Sequence, residues 1–588
     1  TTVAIFVPIL FLKDVEGQLF ADLALTIAIG VGLSLVVAVT VLPVAARYWL
    51  TKLPVNENAG SRAKGFAGKL MMFSSTPLRR GFTIVTLMFG AVSLSWYLLP
   101  NLNYLPPVKR DAVDAFLLFP SGANMETIDK EVVSVIVDRL QPYMDGELEP
   151  ALKNYYFITF PGGQGGSLGV RAKDQGNVKE LERLVKEEIL VGFPDVFTFA
   201  QQGNLFGNFG GNGSVELNIQ ARNLEQLRDV TLEGQRWITE ALPGAQARPN
   251  PDPNVITPEL EITPNDRRLA EVGYSRADIS RIIRALGDGL WLGEHFDGEQ
   301  RVDMILKARE WSDPEALRNM PLATPNGGTV PLGELVTIER GVGPTFIQRL
   351  NRKRTVSLNI TQPEGMPLED MVTILKNEVE PKLKAMLPAG ASVSYGGSAD
   401  ALDRAVASLS LNFVLALGLL FLILAALFRS PKDAILVVIT IPLATVGGVI
   451  ALKILNIFSF APLDLLTMIG FIILLGLVVN NAILLVAQTR QGEAEGLSRE
   501  AAVERALGLR LRPIFMSTLT SIMGMLPLVL FPGAGSAIYR GMAATIVGGM
   551  SLSTIFTLLL LPCLLRVEVF EQIKQMLKKT SVKIQPAE

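Results

Sequence analysis

Cysteine and histidine are almost absent from this chain of 588 residues, which contains one of each, Cys563 and His295. One cysteine excludes a disulfide framework within the chain. One histidine excludes an HExxH zinc site and any cluster of several histidine ligands. The 54 basic and 56 acidic residues give a net charge of −2, so the charge balance indicates no nucleic-acid partner.

Apolar residues, by contrast, are abundant. They make up 49% of the chain, charged residues make up 19%, and the mean hydropathy is +0.35. This composition is too apolar for an ordinary soluble protein and too charged for a pure membrane bundle. A polar block runs from about residue 101 to about residue 408, with apolar runs on both sides. We therefore predict a polytopic α-helical membrane protein with one large region outside the bilayer.

The two ends of the chain repeat each other. When the first fifty residues are shifted by 519 positions without a gap, small and turn-forming residues match as well as apolar ones. The matched pairs are Thr1 with Thr520, Pro8 with Pro527, Gly30 with Gly549, Ser34 with Ser553 and Pro43 with Pro562. This register predicts a duplicated membrane protein whose second copy starts near Arg79. By the same register we expect about 440 residues of the first copy upstream.

Eight runs are apolar and long enough to be membrane spans, for which about 20 residues are needed. Lysine and arginine concentrate in the connections at 47–80 and 490–512 and in the tail after residue 566, which predicts that these segments are cytoplasmic. The polar block then lies on the opposite side of the membrane. The predicted spans are 1–12 (cut short), 23–44, 82–99, 411–428, 434–455, 465–487, 514–530 and 542–565.

Within the polar block, alternating apolar residues precede helical stretches and are followed by further strands. Residues 115–119, 214–220 and 356–360 each begin such a β-α-β figure, which indicates ferredoxin-like subdomains. The segment 258–342 has a different character, with a short strand, glycine- and proline-rich hairpins, and a helix opened by Ser275 with Asp278 as a capping box. We interpret this segment as an insertion.

Several motifs together resemble one known family. They are Leu-Val-Val-Asn-Asn-Ala-Ile-Leu at 477–484, Arg-Leu-Arg-Pro-Ile-Phe-Met-Ser-Thr-Leu at 510–519, Gly-Met-Leu-Pro-Leu at 524–528, Gly-Ala-Gly-Ser at 533–536 and Leu-Leu-Pro at 560–562. With them the chain is similar to the C-terminal half of a resistance–nodulation–division (RND) efflux permease of the hydrophobe/amphiphile type. The resemblance implies a homotrimeric pump of the bacterial inner membrane, driven by a proton or other cation gradient. It implies export of drugs, dyes and detergents, with a periplasmic adaptor and an outer-membrane channel as partners.

The resemblance also implies a division of the chain into regions. The α+β region would be periplasmic, with porter subdomains at 101–212 and at 213–257 plus 343–398, the second split by a docking insert at 258–342. Membrane segments would be 1–50, 82–100 and 409–566, with a cytoplasmic connection at 51–81 and a cytoplasmic tail at 567–588. We expect no cofactor and no enzymatic activity, since neither a P-loop nor a nucleophile–base pair is legible.

Candidate ion-relay residues lie in two of the spans. Asn480 and Asn481 are neighbouring amides in an apolar run, where a polar side chain is costly unless it is paired, so they are either relay residues or contacts between helices. The resemblance assigns a relay role to Ser517 and to Arg510 as well. Ser517 is equally explained by a local bond to a helix carbonyl, and Arg510 by anchoring at the membrane surface. Family pumps for drugs have a lysine where this chain has Asn480, which leaves the coupling ion open.

A predicted loop rich in phenylalanine and glycine is the candidate substrate path. Phe197, Phe199, Phe206 and Phe209 lie among glycines, and large apolar groups on a pliable backbone suit varied apolar ligands. Packing between two subdomains is the alternative. The glycines Gly162, Gly163, Gly165 and Gly166 occupy the place of the family's switch loop, but a plain turn explains them equally well.

Two other functions compete with transport. A non-pumping membrane receptor or scaffold of the same superfamily would share the shape, and acidic residues in the fourth span of the first copy would distinguish a pump from it. A membrane-tethered enzyme is the weaker alternative, since no catalytic constellation is legible in the polar block.

Overall fold

A computed structural model describes most of the chain between residues 15 and 566. Residues 50–67, 69, 107, 121–124, 161–164, 205–213, 223, 254–255, 288, 309–310, 312, 345–346 and 534 lie outside the described part, as do most of 1–14 and all of 567–588. The first two long helices of the described part are α1 (Val15–Trp49) and α2 (Pro77–Leu98). Thr76 caps α2 by accepting a hydrogen bond from the backbone N–H of Arg79.

The first α/β unit follows α2. It consists of β1 (Lys109–Leu118), α3 (Met125–Ile128), a π-helical turn (Asp129–Val133), α4 (Ser134–Met144), β2 (Leu152–Thr159), β3 (Gly165–Ala172), a 3₁₀ turn (Gln175–Asn177), α5 (Val178–Leu184), a π-helical turn (Val185–Ile189) and β4 (Phe197–Asn204). The sheet is antiparallel in the order β2-β3-β1-β4. Val113, Ala115 and Leu117 alternate along β1 into one buried core with the helices.

The second α/β unit is interrupted in the middle. It starts with β5 (Val215–Ala221), α6 (Leu224–Ala241) and β6 (Ala247–Asn250). An inserted region comes next: β7 (Ile256–Pro264), α7 (Asp266–Val272), α8 (Arg276–Leu286), β8 (Leu290–Phe296), β9 (Arg301–Leu306), α9 (Pro314–Arg318), β10 (Pro321–Ala323), β11 (Thr329–Pro331), α10 (Leu332–Leu335) and β12 (Val336–Pro344). The unit resumes with β13 (Arg349–Leu350), β14 (Lys353–Ile360), α11 (Leu368–Ile374), a π-helical turn (Leu375–Val379), α12 (Glu380–Met386) and β15 (Ser392–Gly397).

The inserted region is joined to its host by two paired strands. β7 and β12 are antiparallel from Ile256 opposite Pro344 to Pro264 opposite Val336, so the region leaves and returns at one place. It has a buried core of its own, in which Leu269, Ile279 and Leu332 take part. The capping box of Ser275 and Asp278 opens α8 as predicted. With the insertion set aside, β6, β14, β5 and β15 are neighbours in that order, which repeats the arrangement of the first unit.

The last part of the chain is a helical bundle. It contains α13 (Ser398–Phe428), α14 (Pro431–Val438), α15 (Ile441–Phe458), α16 (Leu465–Ala494), α17 (Arg499–Leu530), a 3₁₀ turn (Ala537–Tyr539) and α18 (Arg540–Arg566). Within the described residues, seven helical segments are long and apolar enough to cross a membrane. They correspond to seven of the eight predicted spans, and the eighth, 1–12, lies mostly outside the described residues.

Candidate functional site

Helix α16 lies at the centre of the bundle. Most of its side chains between Leu465 and Thr489 are buried, and it packs against α13, α14, α17 and α18. Asp464 caps its first turn by accepting a hydrogen bond from the backbone N–H of Thr467 at 2.8 Å. The helix carries Asn481 into the interior of the bundle, whereas Asn480 is exposed.

Asn481 belongs to a buried polar cluster that three helices share. Its side-chain nitrogen Nδ2 donates to Oγ1 of Thr518 on α17 at 3.3 Å and to Oγ1 of Thr554 on α18 at 3.2 Å. The two hydroxyl oxygens are 3.1 Å apart. Asn481, Thr518 and Thr554 are only 7%, 4% and 3% exposed. The two hydroxyl groups and the amide nitrogen are thus hydrogen-bonded to one another in the buried interior of the bundle.

Asn480 is in a different position from its neighbour. Successive residues of an α-helix are turned by about 100°, so the two amides cannot share a face. Asn480 is exposed within the described residues, although Val479 and Asn481 on either side of it are buried. The structure therefore does not bring Asn480 into the polar cluster.

Ser517 and Arg510 lie on α17 but outside the cluster. The hydroxyl of Ser517 donates to the backbone oxygen of Ile514 at 3.0 Å, which is the local bonding given above as its alternative explanation. Arg510 donates to Oε1 of Gln488 at 3.0 Å. It precedes Thr518 by eight residues, or about 12 Å along the helix. In the described part of the chain, neither residue hydrogen-bonds to Asn481.

Thr518 and Thr554 were not singled out from the sequence. A signal for Thr518 exists, because it continues the stripe of Val503, Leu507, Leu511 and Ile514 that α17 buries. Ser517 is adjacent in sequence but lies off this stripe. Thr554 was harder to find, since α18 buries residues on most of its circumference. Helical periodicity would therefore have favoured Thr518 over Ser517.

A second polar group, also not singled out from the sequence, joins α14 to α16. The carboxylate of Asp433 is 5% exposed, and the guanidinium Nε of Arg490 lies 3.2 and 3.1 Å from its two oxygens. Arg490 also contacts Glu493, which in turn accepts a hydrogen bond from Arg499 Nε at 3.2 Å. This is a forked ion pair at one end of the bundle.

The phenylalanines of the candidate substrate path lie differently from the prediction. Phe197 and Phe199 were predicted in a loop, but they belong to strand β4, opposite Leu118 and Phe116 of β1. They are two residues apart and therefore point to the same face of the sheet. The spacing of two residues between the phenylalanines is typical of a strand, but the neighbouring glycines favoured a loop. Phe206 and Phe209 lie outside the described residues.

Arg248 of β6 reaches across from the second unit to these two rings. Its guanidinium carbon lies 5.3 Å from the ring centroid of Phe197 and 4.5 Å from that of Phe199, within cation–π range. Burial lowers the pKa of Arg248. Its hydrogen bond goes to Gln246 at 2.8 Å, and no ion pair joins it to a described carboxylate. The two α/β units therefore meet at an aromatic surface that carries a positive charge.

The four glycines at the switch-loop position differ in where they lie. Gly162 and Gly163 lie outside the described residues. Gly165 and Gly166 were expected in a loop but are buried residues of strand β3, paired with Leu118 and Leu117. A Cβ atom on Gly165 would come within 2.6 Å of the backbone oxygen of Leu117, so close strand contact requires glycine there.

Three comparisons with known proteins bear on this architecture. The family model for the AcrB/AcrD/AcrF family matches residues 1–149 and 169–568. The cation efflux system protein CzcA of Alcaligenes sp. (strain CT14) is 26% identical over 96% of this chain and 54% of that protein. The cobalt-zinc-cadmium resistance protein CzcA of Cupriavidus metallidurans matches with the same values. The chain thus spans about half the length of these curated relatives.

Solved structures show the same fold. The crystal structure of a heavy metal efflux pump in crystal form II superposes with a TM-score of 0.69, covering 97% of this chain and 56% of that chain. Crystal form I gives a TM-score of 0.69, covering 96% and 57%. The sequence identity is 22% in both comparisons, so the likeness is evidence for the fold alone.

Proposed function

The chain belongs to the AcrB/AcrD/AcrF family of RND permeases, and from this premise we propose that it acts in a secondary-active exporter of the bacterial inner membrane. Members of the family are multi-pass inner-membrane proteins. Family pumps are trimeric and work with an adaptor and an outer-membrane channel. We propose the same assembly here: a homotrimer, a periplasmic adaptor and an outer-membrane channel.

The buried cluster around Asn481 is the observation that carries this proposal. Polar side chains within apolar spans are expensive, and they usually mark an ion or substrate pathway. Here Asn481, Thr518 and Thr554 come from three different spans, are buried and hydrogen-bond to one another. We propose that Asn481 belongs to the relay for the coupling cation. Asn480, Ser517 and Arg510 stay candidates for the same relay on the strength of the family resemblance.

The orientation of the chain follows from its charges. Lysine- and arginine-rich connections favour the cytoplasmic side for residues 47–80 and for the connection between α16 and α17. Both α/β units then lie in the periplasm. We propose that residues 101–212 form one porter subdomain and that 213–257 with 343–398 form the second, with 258–342 as the docking insert.

For the substrate we propose hydrophobic or amphiphilic organic compounds. The rings of Phe197 and Phe199 offer apolar surface at the junction of the two units, and Arg248 adds a cation there. Such a surface suits an aromatic or acidic amphiphile. It does not suit a bare divalent cation, which the guanidinium would repel and which prefers oxygen or nitrogen ligands.

Divalent metal cations are the second candidate substrate. The observation in their favour is the naming of the relatives, which are called cation efflux and cobalt-zinc-cadmium resistance proteins. A non-pumping receptor or scaffold is the alternative to both kinds of export. We propose no enzymatic activity for the chain.

Susceptibility tests distinguish these possibilities. The full-length protein is produced in a bacterium that lacks its own efflux pumps, and growth is measured against dyes, detergents, Zn²⁺, Co²⁺ and Cd²⁺. We expect resistance to dyes and detergents, and we expect Phe199→Ala with Arg248→Gln to change which compounds are tolerated at an unchanged protein level. Resistance to the metals alone would replace the substrate proposal. No resistance to any compound, with the protein present in the membrane, would favour the scaffold.

A further inference from the structure

The hydrogen bonds around Asn481 have directions that the contacts determine. The hydroxyl of Thr554 donates its single proton to the backbone oxygen of Met550 at 2.8 Å. Towards its other neighbours Thr554 can therefore only accept. Thr518, whose Oγ1 is 3.1 Å away, must then be the donor in the bond between the two hydroxyls. Both threonines thus have lone pairs, and no proton, left for Asn481.

This series of hydrogen bonds determines the orientation of the side-chain amide of Asn481. With only lone pairs on offer, the two threonines select the –NH₂ group, and Nδ2 donates to each of them. The opposite orientation would place the amide oxygen against two acceptors. The assignment of nitrogen and oxygen therefore follows from the network and not from the shape of the amide alone.

The side-chain oxygen Oδ1 of Asn481 is left over. Among the described residues, none donates a hydrogen bond to it, whereas every other polar atom of the three side chains is bonded. An amide oxygen is an acceptor and a ligand for hard cations. The amide therefore has a satisfied nitrogen end and an oxygen end available to a cation.

On the basis of the proposed function, we propose that Thr518 and Thr554 are positioning residues that hold the Asn481 amide with its oxygen towards the coupling cation. The cation is a hydrated proton or an alkali-metal cation, since both bind to an uncharged oxygen. The threonines act through Asn481 and do not themselves contact the cation. Their role goes beyond holding helices together, because they determine which end of the amide faces the cation.

The critical variant is Thr554→Val, which keeps the shape and removes the acceptor. Thr518 loses the partner to which it donates, and its proton becomes available to the amide oxygen. The amide can then turn over, which directs its –NH₂ group at the cation. Thr554→Ser keeps the hydroxyl and with it the orientation. Thr518→Val should have a smaller effect, because Thr554 still offers only lone pairs.

The test uses the full-length protein in liposomes, with substrate flux followed at varied cation concentration. One arm varies pH at constant Na⁺, and the other varies NaCl at constant pH with choline chloride as the balance. In one of the two arms we expect Thr554→Val to raise the cation concentration for half-maximal flux about tenfold, with a maximal rate within about twofold of wild type. Thr554→Ser should restore the wild-type value. The arm that shifts identifies the cation.

A buried hydroxyl on the same helix provides the matched control. Thr557 is 2% exposed, and its partner is Ser553 on α18 itself. Thr557→Val should leave the half-maximal concentration unchanged.

If Thr554→Val lowers the maximal rate and thermal stability but leaves that concentration as in wild type, the positioning role is wrong and the cluster is packing. If Thr554→Val does not reach the membrane, a shift of a few fold in Thr518→Val is required instead. Wild-type flux independent of both cations would overturn the proposed function itself, and the inference with it.

Discussion

At the scale of single residues, the carboxyl of Asp464 lies in an unusual environment. It is 5% exposed at the start of α16, and burial raises the pKa of Asp464 to about 6 from the ordinary 3.8. Hydrogen bonds from the first turn oppose this rise but do not cancel it. Because the pKa in the folded state is the higher one, the protonated carboxyl is the form that the fold favours. This stabilisation is complete below about pH 3.8 and is lost as the pH rises through about 6.

We predict that Asp464→Asn, which keeps a capping side chain, flattens the dependence of stability on pH. In the wild type, the free energy of unfolding should fall by up to about 1.4 kcal/mol per pH unit between about pH 4 and pH 6. Thermal midpoints of the purified protein across this range measure the slope. A variant with the wild-type slope would assign the pH dependence to other groups.

Only some of the residues at the candidate site could be predicted from the sequence. The apolar run around Asn480 and Asn481 was enough to indicate a paired amide, because polar residues in a span are conspicuous, but it did not show which of the two is buried. The partners of Asn481 were not predicted, although the buried stripe of α17 favours Thr518 over Ser517, and Thr554 lies on a helix that is buried on most of its circumference. For Phe197 and Phe199 the aromatic composition was noted but the strand was missed. Arg248 comes from a distant part of the chain, and local sequence carries no sign of that contact.

At the scale of elements, α15 and α18 approach each other so closely at their glycines that even a Cβ atom would clash with the other helix. A Cβ atom on Gly447 would lie 2.4 Å from the backbone oxygen of Gly548 and 2.9 Å from Cα of Gly549. On Gly548 it would lie 2.3 Å from Cβ of Ala451. Small residues allow backbones in membrane bundles to come into contact, and dispersion across such a crossing stabilises the pair.

We predict that Gly447→Ala lowers stability by about 1–3 kcal/mol, because the added methyl group meets backbone atoms that cannot move out of its way. Gly418→Ala on α13 is the control, since a Cβ atom there has no neighbour within 4 Å. The control should be neutral, or gain up to about 1 kcal/mol from helix propensity. The stability of the two variants is compared with that of the wild type by their thermal unfolding midpoints. Equal midpoints would show that the crossing is not tightly packed.

The ion pair of Asp433 and Arg490 connects α14 to α16. We predict that Asp433→Ala destabilises the protein by about 1–3 kcal/mol, less than for a fully buried pair because Arg490 is 35% exposed and keeps Glu493. Asp400→Ala is the matched control: its pair with Arg404 is exposed, so the change should stay within about 0.5 kcal/mol. If the two variants lose the same stability, the pair on α14 and α16 contributes no more than a surface contact. The double variant Asp433→Leu with Arg490→Met should recover part of the loss.

At the scale of the whole molecule, two α/β units with the same strand order are joined to a bundle of apolar helices. The spans could be predicted because length and hydropathy suffice to identify them. The change of character at 258–342 coincides with the paired strands β7 and β12, which begin and end within two residues of those bounds, and the role of this region as a docking insert stays a prediction. Strands β3 and β4 were missed, because β3 begins with two glycines and β4 runs into a glycine-rich segment. There, tertiary pairing with β1 overrides weak local preference.

For the whole molecule, our central claim is that a cation gradient drives export through Asn481. The most direct measurement reconstitutes the full-length protein in liposomes and follows internal pH and Na⁺ while substrate is added. We predict that substrate dissipates one of the two preformed gradients in the wild type. Asn481→Leu, present at the same level and with the same assembly, should leave both gradients intact. Undiminished substrate movement by that variant, or by the wild type after both gradients are collapsed, would contradict the account.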